Sequence, residues 1–307
     1  MTQNASHIDI ILGPTASGKS AFAIDMARKH ANESGHDALI INADAMQCYD
    51  CLRVLTAQPD ADETAQVPHA LYGFFPPENN LTVIEWRDMA TAKIQDCFKH
   101  NIKPILVGGT GFYIKALTEG FSPLPEIDPS FREQAYAYLE QIGPDDFHAA
   151  LTRRDPESAA RIPAGDTHRM IRAWEVFDAT QKPLSAWQKE PLSGPPDTDW
   201  SFGFHAILPE KEAHLEKINS RLSVMLEAGA LNEVEDLADR IDAGTVPDDA
   251  LVIKAHGFRP LRAYLREEIT LEDAFAQTAI ETRQYAKRQK TWIRTQVPPD
   301  KLTIHTP

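Results

Sequence analysis

Cysteine is nearly absent. Only Cys48, Cys51 and Cys97 occur in 307 residues, too few for a disulfide framework and in keeping with a reducing compartment. Cys48 and Cys51 stand at C-x-x-C spacing, but no second pair completes a tetrahedral zinc site, the histidines are scattered, and no H-E-x-x-H occurs, so no structural metal is expected. Long apolar runs are missing too: no stretch approaches the ~18 residues of a membrane span. The opening MTQNASH lacks the basic-then-apolar order of a signal peptide, which reads as a cytoplasmic protein with no membrane partner. Positive charge is in deficit, with 31 basic against 45 acidic residues and a formal charge of −14. That balance argues against indiscriminate adhesion to nucleic acid or an anionic membrane, so a nucleic-acid partner has to be met by a concentrated patch. There is no internal repeat and no low-complexity tract.

What is present is a globular composition, 42% hydrophobic and 25% charged, enough for an ordinary core and a second, smaller module. IDIIL at 8–12 reads as a strand running into the glycine-bounded GPTASGKS and then a helix over 21–31 with Phe22, Ala23 and Met26 on one face. ALIIN at 38–42 and PILVGG at 104–109 read as further strands, and 81–100 between them has helical periodicity. Apolar strands alternating with helices imply a parallel sheet covered on both faces, with ligands at the carboxyl ends of its strands. The Pro-rich boundaries SPLPEIDP and PLSGPPDTD mark off 121–200 as an inserted helical domain. The core then comprises 1–120 and 201–307, with a returning strand FGFHAIL at 202–208 and long helices over 211–240 and 271–294.

Gly13, Gly18, Lys19 and Ser20, with Pro14, Thr15, Ala16 and Ser17 between, satisfy G-x-x-x-x-G-K-[ST] after a strand and before a helix. The fold class is therefore α/β, a P-loop NTPase-like parallel sheet with helices on both faces plus the helical insertion. In such a loop backbone N–H groups and the helix N-terminus face phosphate, Lys19 supplies a point charge and the Ser20 hydroxyl can ligate Mg²⁺. Asp44 follows the second strand at the same edge, open as metal ligand, general base or cap of the next turn. Thr110, in VGGTGFY, stands at the third strand end, with Tyr113 beside it more suited to packing. TRQYAKRQKTWIR at 282–294 holds five basic residues and no acid; Arg283, Lys287, Lys290 and Arg294 share one helical face, Tyr285, Gln289 and Trp292 another. In so acidic a chain the basic face fits phosphates better than mere solvation. In HRMIRAWEVFDAT, His168 and Arg172 lie one turn apart, while Ile171, Trp174 and Phe177 form a packing stripe.

GPTASGKS, INADAMQCY, LTAQP, PHALYGF, LVGGTGFYIKAL, SPLP, HRMIRAWEVF and TRQYAKRQKTW, in this order over almost the whole chain, resemble the bacterial tRNA dimethylallyltransferases, or isopentenyl-diphosphate:tRNA transferases. The resemblance implies transfer of a dimethylallyl group from dimethylallyl diphosphate to N6 of the adenosine 3′ of the anticodon, in tRNAs reading UNN codons, by a monomer. It implies that residues 13–20 hold the diphosphate with Mg²⁺, that Asp44 is the base and that Lys254, where arginine is usual, assists at the diphosphate. It places the anticodon stem-loop on Asp44, Ala45, Met46, Gln47, Thr110, Arg132, His168, Arg169, Met170, Ile171, Arg172, Lys254, His256, Gly257, Arg259, Thr282, Arg283, Gln284 and Lys287. Ala45 departs from the family's hydroxyl residue, and Cys48 and Cys51 from its usual apolar or small ones. The competing readings are a P-loop kinase of a small metabolite, a transferase acting on free adenine nucleotide, and a non-catalytic nucleotide-dependent module.

Overall fold

Short runs of branched apolar residues build the sheet in the computed structural model, which describes residues 7–197 and 199–307; MTQNAS, read above for a signal peptide, lies outside the described residues. The first half of the chain gives β1 (His7–Leu12), α1 (Lys19–Ser34), β2 (Ala38–Asn42), α2 (Ala61–Gln66), β3 (His69–Ala70), α3 (Val83–Lys99), β4 (Lys103–Gly108) and α4 (Gly111–Thr118). Capping boxes start α2 (Asp60 with Glu63) and α3 (Thr82 with Glu85), each satisfying orphan amides of the first turn. After the insertion come β5 (Ser201–Ile207) and, at the C-terminus, β6 (Leu302–His305).

The strands described form one parallel sheet in the order β3-β2-β4-β1-β5-β6. Ile10 lies level with Leu106 of β4 and Phe204 of β5. The chain leaves β1 past β4 to reach β2, and leaves β4 past β1 to reach β5, so the connections diverge at the β1/β4 boundary. A crevice opens at the carboxyl ends of such a pair. Alternation sorts the side chains: Ile8, Ile10 and Leu12 of β1 enter one core with Ile41, Trp86, Leu106 and Tyr113, while Ile11 enters another with Ala23, Ile24, Ala27 and Ile105. Trp86 stacks on Tyr113 with ring centroids 4.3 Å apart and donates its indole N–H to the Asn42 carbonyl at 3.0 Å, fixing the end of β2.

Glu119–Pro195 forms a compact unit of its own, with α5 (Pro129–Ile142), α6 (Pro144–Arg154), α7 (Pro156–Arg161), α8 (Thr167–Thr180) and α9 (Leu184–Trp187) around Phe147, Leu151, Met170, Ile171 and Trp174. Its two chain ends are tied together, the Ser193 amide donating to the Phe121 carbonyl at 2.9 Å and the Phe121 amide to Ser193 Oγ at 3.0 Å. The boundary differs from 121–200 because Trp200 packs in the core of the larger unit beside Phe98 and Phe202.

The stretch read as one helix over 211–240 is two, α10 (Lys211–Glu227) and α11 (Ala230–Asp242). The break is at Gly229, whose φ of 101 lies where a side chain is rarely tolerated. α12 (Phe258–Leu265) and α13 (Leu271–Gln296) follow. Among the described residues no helix is long and apolar enough to cross a membrane.

Gly108 ends β4 hard against β2: a Cβ there would overlap the Ala43 carbonyl, which also accepts the Thr110 amide. Backbone cannot yield as a flexible side chain does. Gly108→Ala is expected to cost about 1–3 kcal/mol, as overpacking does, read as a lower urea midpoint at an unchanged m-value.

Candidate active site

The loop after β1 is held more tightly than its glycine content suggests. Ala16 and Gly18 are both left-handed, at φ 59 and φ 88, and Ala16 accepts that strain at the turn of the loop. The Thr15 amide donates to Gln289 Oε1 at 2.9 Å, the Thr15 carbonyl accepts from His214 Nε2 at 2.8 Å, and the Ser17 amide donates to the Pro14 carbonyl at 3.1 Å. Those groups are therefore committed within the protein. What the loop offers an anion is the N-terminus of α1, where Gly18 supplies no side-chain cap and the first-turn amides, beginning with Lys19 and Ser20, point outward. Gly13 and Pro14, expected at the phosphates, are buried behind the loop; Ala16 to Ser20 line a groove of about 1770 Å³.

Asp44 lies just past β2. Its Oδ1 accepts the Met46 amide at 3.1 Å and its own amide donates to Asn42 Oδ1 at 2.8 Å, so the capping role is real. The carboxylate also lines a second cavity, of about 700 Å³, with Thr15, Ala16, Arg221, His256 and Tyr285. The remaining wall is mixed, with apolar Met46, Leu55, Ile218, Leu222, Met225 and Ala255 beside the small hydroxyl residues Thr56, Thr278 and Thr282. Ala16, Arg221 and Met225 border both spaces, so a groove suited to an anion continues into a partly apolar room with a carboxylate in its wall. Thr110 reaches the same place by accepting the Ala45 amide at 3.0 Å.

Electrostatics follow from burial. Lys19 is enclosed, and loss of hydration pulls its pKa down to about 8, the Asp44 charge opposing that shift and Arg221 adding to it. Burial likewise lowers the pKa of Arg221, against the pull of Asp44 and Glu63, and pushes the Tyr285 phenol up. Two cations kept close and partly withdrawn from solvent form a site that gains from receiving negative charge. Arg221 went unread in the sequence, although it sits on α10 among Ile218, Leu222 and Met225, and a cation on an apolar stripe is a readable signal. Glu233 of α11 was also missed: it accepts the Val54 and Leu55 amides at 2.8 and 3.0 Å, holding the LTAQP loop that divides the two spaces.

Several expected contacts fall elsewhere. Lys254 does not border the phosphate groove; it is exposed, on a groove of about 520 Å³ with His256, Arg259, Gln284 and Arg288. Gln47 is buried, donating to the Thr56 and Ala57 carbonyls at 2.9 and 2.8 Å, so it braces the loop and offers nothing outward. Gly257 is buried at φ 93, 2.9 Å short of Thr278 Cγ2 for any added Cβ. Met170 and Ile171 are wholly inside the helical unit, because they occupy the inner face of α8. His168, Arg169 and Arg172 of α8 and Arg132 of α5 remain accessible; the buried Glu175 carboxylate holds Arg172 at 2.5 Å and Arg132 at 3.4 Å. On α13, Arg283, Gln284, Lys287 and Arg294 face solvent, whereas Lys290 turns in to donate to the Pro209 carbonyl at 3.4 Å.

Among the described residues no three His, Cys, Asp or Glu side chains cluster as a metal site. The hydroxyl of Ser20 at the phosphate groove still suits Mg²⁺, which keeps most of its waters and takes its remaining oxygens from phosphates.

Residues 47–296 match the family described as IPP transferase, and residues 6–69 the family described as isopentenyl transferase. The chain is 41% identical over 298 residues to a tRNA dimethylallyltransferase of Paramagnetospirillum magneticum, covering 97% of this chain and 90% of that one. To the enzyme of the same name from Azorhizobium caulinodans it is 42% identical, covering 94% and 89%. Among solved structures it resembles the full-length tRNA isopentenylpyrophosphate transferase of Bacillus halodurans at 29% identity, with a TM-score of 0.67, over 98% of this chain and 90% of that one. A eukaryotic dimethylallyltransferase acting on tRNA shares the fold, with a TM-score of 0.78 at 24% identity over 98% and 74% of the two chains.

With its pKa lowered to about 8, Lys19 is charged below that pH and neutral above it. Affinity for inorganic diphosphate is therefore expected to fall above pH 8, approaching about tenfold per unit from this one group. Calorimetry from pH 7 to 9.5 checks it, with Lys19→Met as the variant in which that component disappears.

Proposed function

The chain belongs to the IPP transferase family, and on that footing we propose that it transfers a dimethylallyl group from dimethylallyl diphosphate to N6 of the adenosine 3′-adjacent to the anticodon, in tRNAs reading UNN codons, releasing diphosphate. The observation that carries this reading is the continuity of the phosphate groove with the partly apolar, carboxylate-bearing cavity across Ala16, Arg221 and Met225. A kinase needs room beside its phosphates for a polar acceptor. Beside its polar groups this cavity offers one aliphatic wall, Leu55, Ile218, Leu222 and Met225, to a short hydrocarbon, whose burial is favoured at about 0.8 kcal/mol per methylene.

In the proposed reaction the adenine amine attacks the allylic carbon, an N–C bond forms as the C–O bond breaks, and the bonding pair leaves with diphosphate. Adenine N6 is a weak nucleophile because its lone pair is delocalised into the ring. Asp44 takes its proton during attack, a contribution of about 10² to 10⁴ in rate. Charge grows on the diphosphate oxygens, where Lys19, Arg221 and the first-turn amides of α1 are already oriented. Mg²⁺ held by Ser20 would supply further neutralisation of that charge. Lys254, Arg259, Arg283 and Lys287 of the larger unit, with Gln284 beside them, and Arg132, Arg169 and Arg172 of the helical unit, with His168 beside them, give surfaces for an RNA stem-loop. The target base has to leave its stack to reach Asp44, at about a few kcal/mol.

Incubation with Mg²⁺, labelled dimethylallyl diphosphate and an unmodified anticodon stem-loop is expected to label the RNA. Phosphorylation of a metabolite by ATP with no label in the RNA overturns the reading. Asp44→Ala is expected to lower kcat by about 10² to 10⁴ with stem-loop affinity retained, and an unchanged kcat removes Asp44 from the role. Replacing both Arg283 and Lys287 by Ala is expected to weaken stem-loop binding and reduce the slope of log Kd against log salt by about 1 to 2, as lost phosphate contacts do; filter binding at several salt concentrations measures it.

A further inference from the structure

Gln289 lies on α13 among residues that face solvent, yet it is only 5% exposed. Its Oε1 accepts the Thr15 amide at 2.9 Å and its Nε2 donates to the Gly109 carbonyl at 3.1 Å. One side-chain amide thus joins the loop after β1 to the loop after β4, across the strand boundary where the sheet's connections diverge. The fit admits nothing larger: a Cβ on Gly109 would overlap the Gln289 amide. From Gly109 the chain of contacts goes on to the base, since Thr110 donates its amide to the Ala43 carbonyl and accepts the Ala45 amide beside Asp44. On the other side His214, 4% exposed, donates to the Thr15 carbonyl at 2.8 Å, so both main-chain polar groups of Thr15, which belong to successive peptide units, are held by side chains of α10 and α13.

We propose that Gln289 is a positioning residue for prenyl transfer: it sets the spacing and orientation of the phosphate-holding loop relative to Asp44, with His214 steadying the next peptide unit of the same loop. A transfer in which one side grips the leaving group and the other takes a proton depends on that spacing, because small misplacements of reacting groups cost large factors in rate. The unpaired amide left by an apolar replacement is also free to turn the loop toward other partners. A purely structural glutamine would change stability and leave the kinetics of the surviving fold alone.

The inference rests on the prenyl-transfer reading, and the test separates the two. Gln289→Met keeps the length of the side chain and removes both hydrogen bonds. The expected results are a 10- to 100-fold lower kcat on the stem-loop, inorganic diphosphate affinity reduced at least 5-fold, faster hydrogen exchange at the Thr15 amide, and a stem-loop Kd within 2-fold of the parent. His214→Phe, which removes the bond to the Thr15 carbonyl alone, is expected to move diphosphate affinity in the same direction and supplies the answer if Gln289→Met does not fold. A parent protein without prenyl transfer, alongside weakened diphosphate binding and faster Thr15 exchange in the variant, sinks the reaction and leaves the tie between the loops standing. An active parent with kcat and diphosphate affinity unchanged in both variants overturns the positioning role, whatever happens to Tm.

Discussion

Backbone meets backbone where β4 ends, and the rest of the site is arranged around that contact. Gly108 lies against the Ala43 main chain, and Gly109 lies against the Gln289 side-chain amide, so three segments far apart in sequence converge with a single side chain joining the third. Such an approach leaves only main-chain polar groups to satisfy, and each finds a partner: the Ala43 carbonyl in the Thr110 amide, the Ala45 amide in the Thr110 hydroxyl, the Gly109 carbonyl in Gln289. The geometry of the catalytic groups is inherited from this junction.

The two spaces that meet at Ala16 and Arg221 divide the chemical work. Lys19, Arg221 and the amides of the α1 N-terminus border one, an aliphatic wall of Leu55, Ile218, Leu222 and Met225 borders the other, and Asp44 stands in the wall of the second. The partition explains why burial, costly for Lys19 and Arg221 in isolation, is retained: both are destabilised as free cations and relieved when an anion arrives. Glu233 and Gln47 do no chemistry but hold the loop that separates the spaces, Glu233 by accepting main-chain amides and Gln47 by donating to main-chain carbonyls.

Sequence alone gave strong access to whatever is local. The strand over 38–42, the glycine-bounded loop between β1 and α1, and Asp44 at a strand end all carry their signal within a few residues, and the structure has them there. β3 and β6 escaped notice because two- and four-residue edge strands have too few positions for periodicity to register. Arg221 and Gln289 escaped because their partners, Lys19 and Asp44 for the first and Thr15 and Gly109 for the second, lie far away along the chain, and only the fold says which polar residue turns inward. The same limit explains Gln47, Gly257, Met170 and Ile171: a motif marks a segment, whereas the face that meets solvent is decided by packing. For α8 the apolar stripe through Ile171 and Trp174 already pointed to packing, and there periodicity was the better guide than motif membership.

The tie between Phe121 and Ser193 closes the helical unit at its root, so a segment of more than seventy residues, Glu119–Pro195, enters and leaves the chain through one narrow neck. A segment so closed is modular in the genetic sense. Insertions, deletions or wholesale exchange beyond the neck leave the strand order and the loop after β1 untouched, so the surface of this unit can vary while the sheet stays as it is.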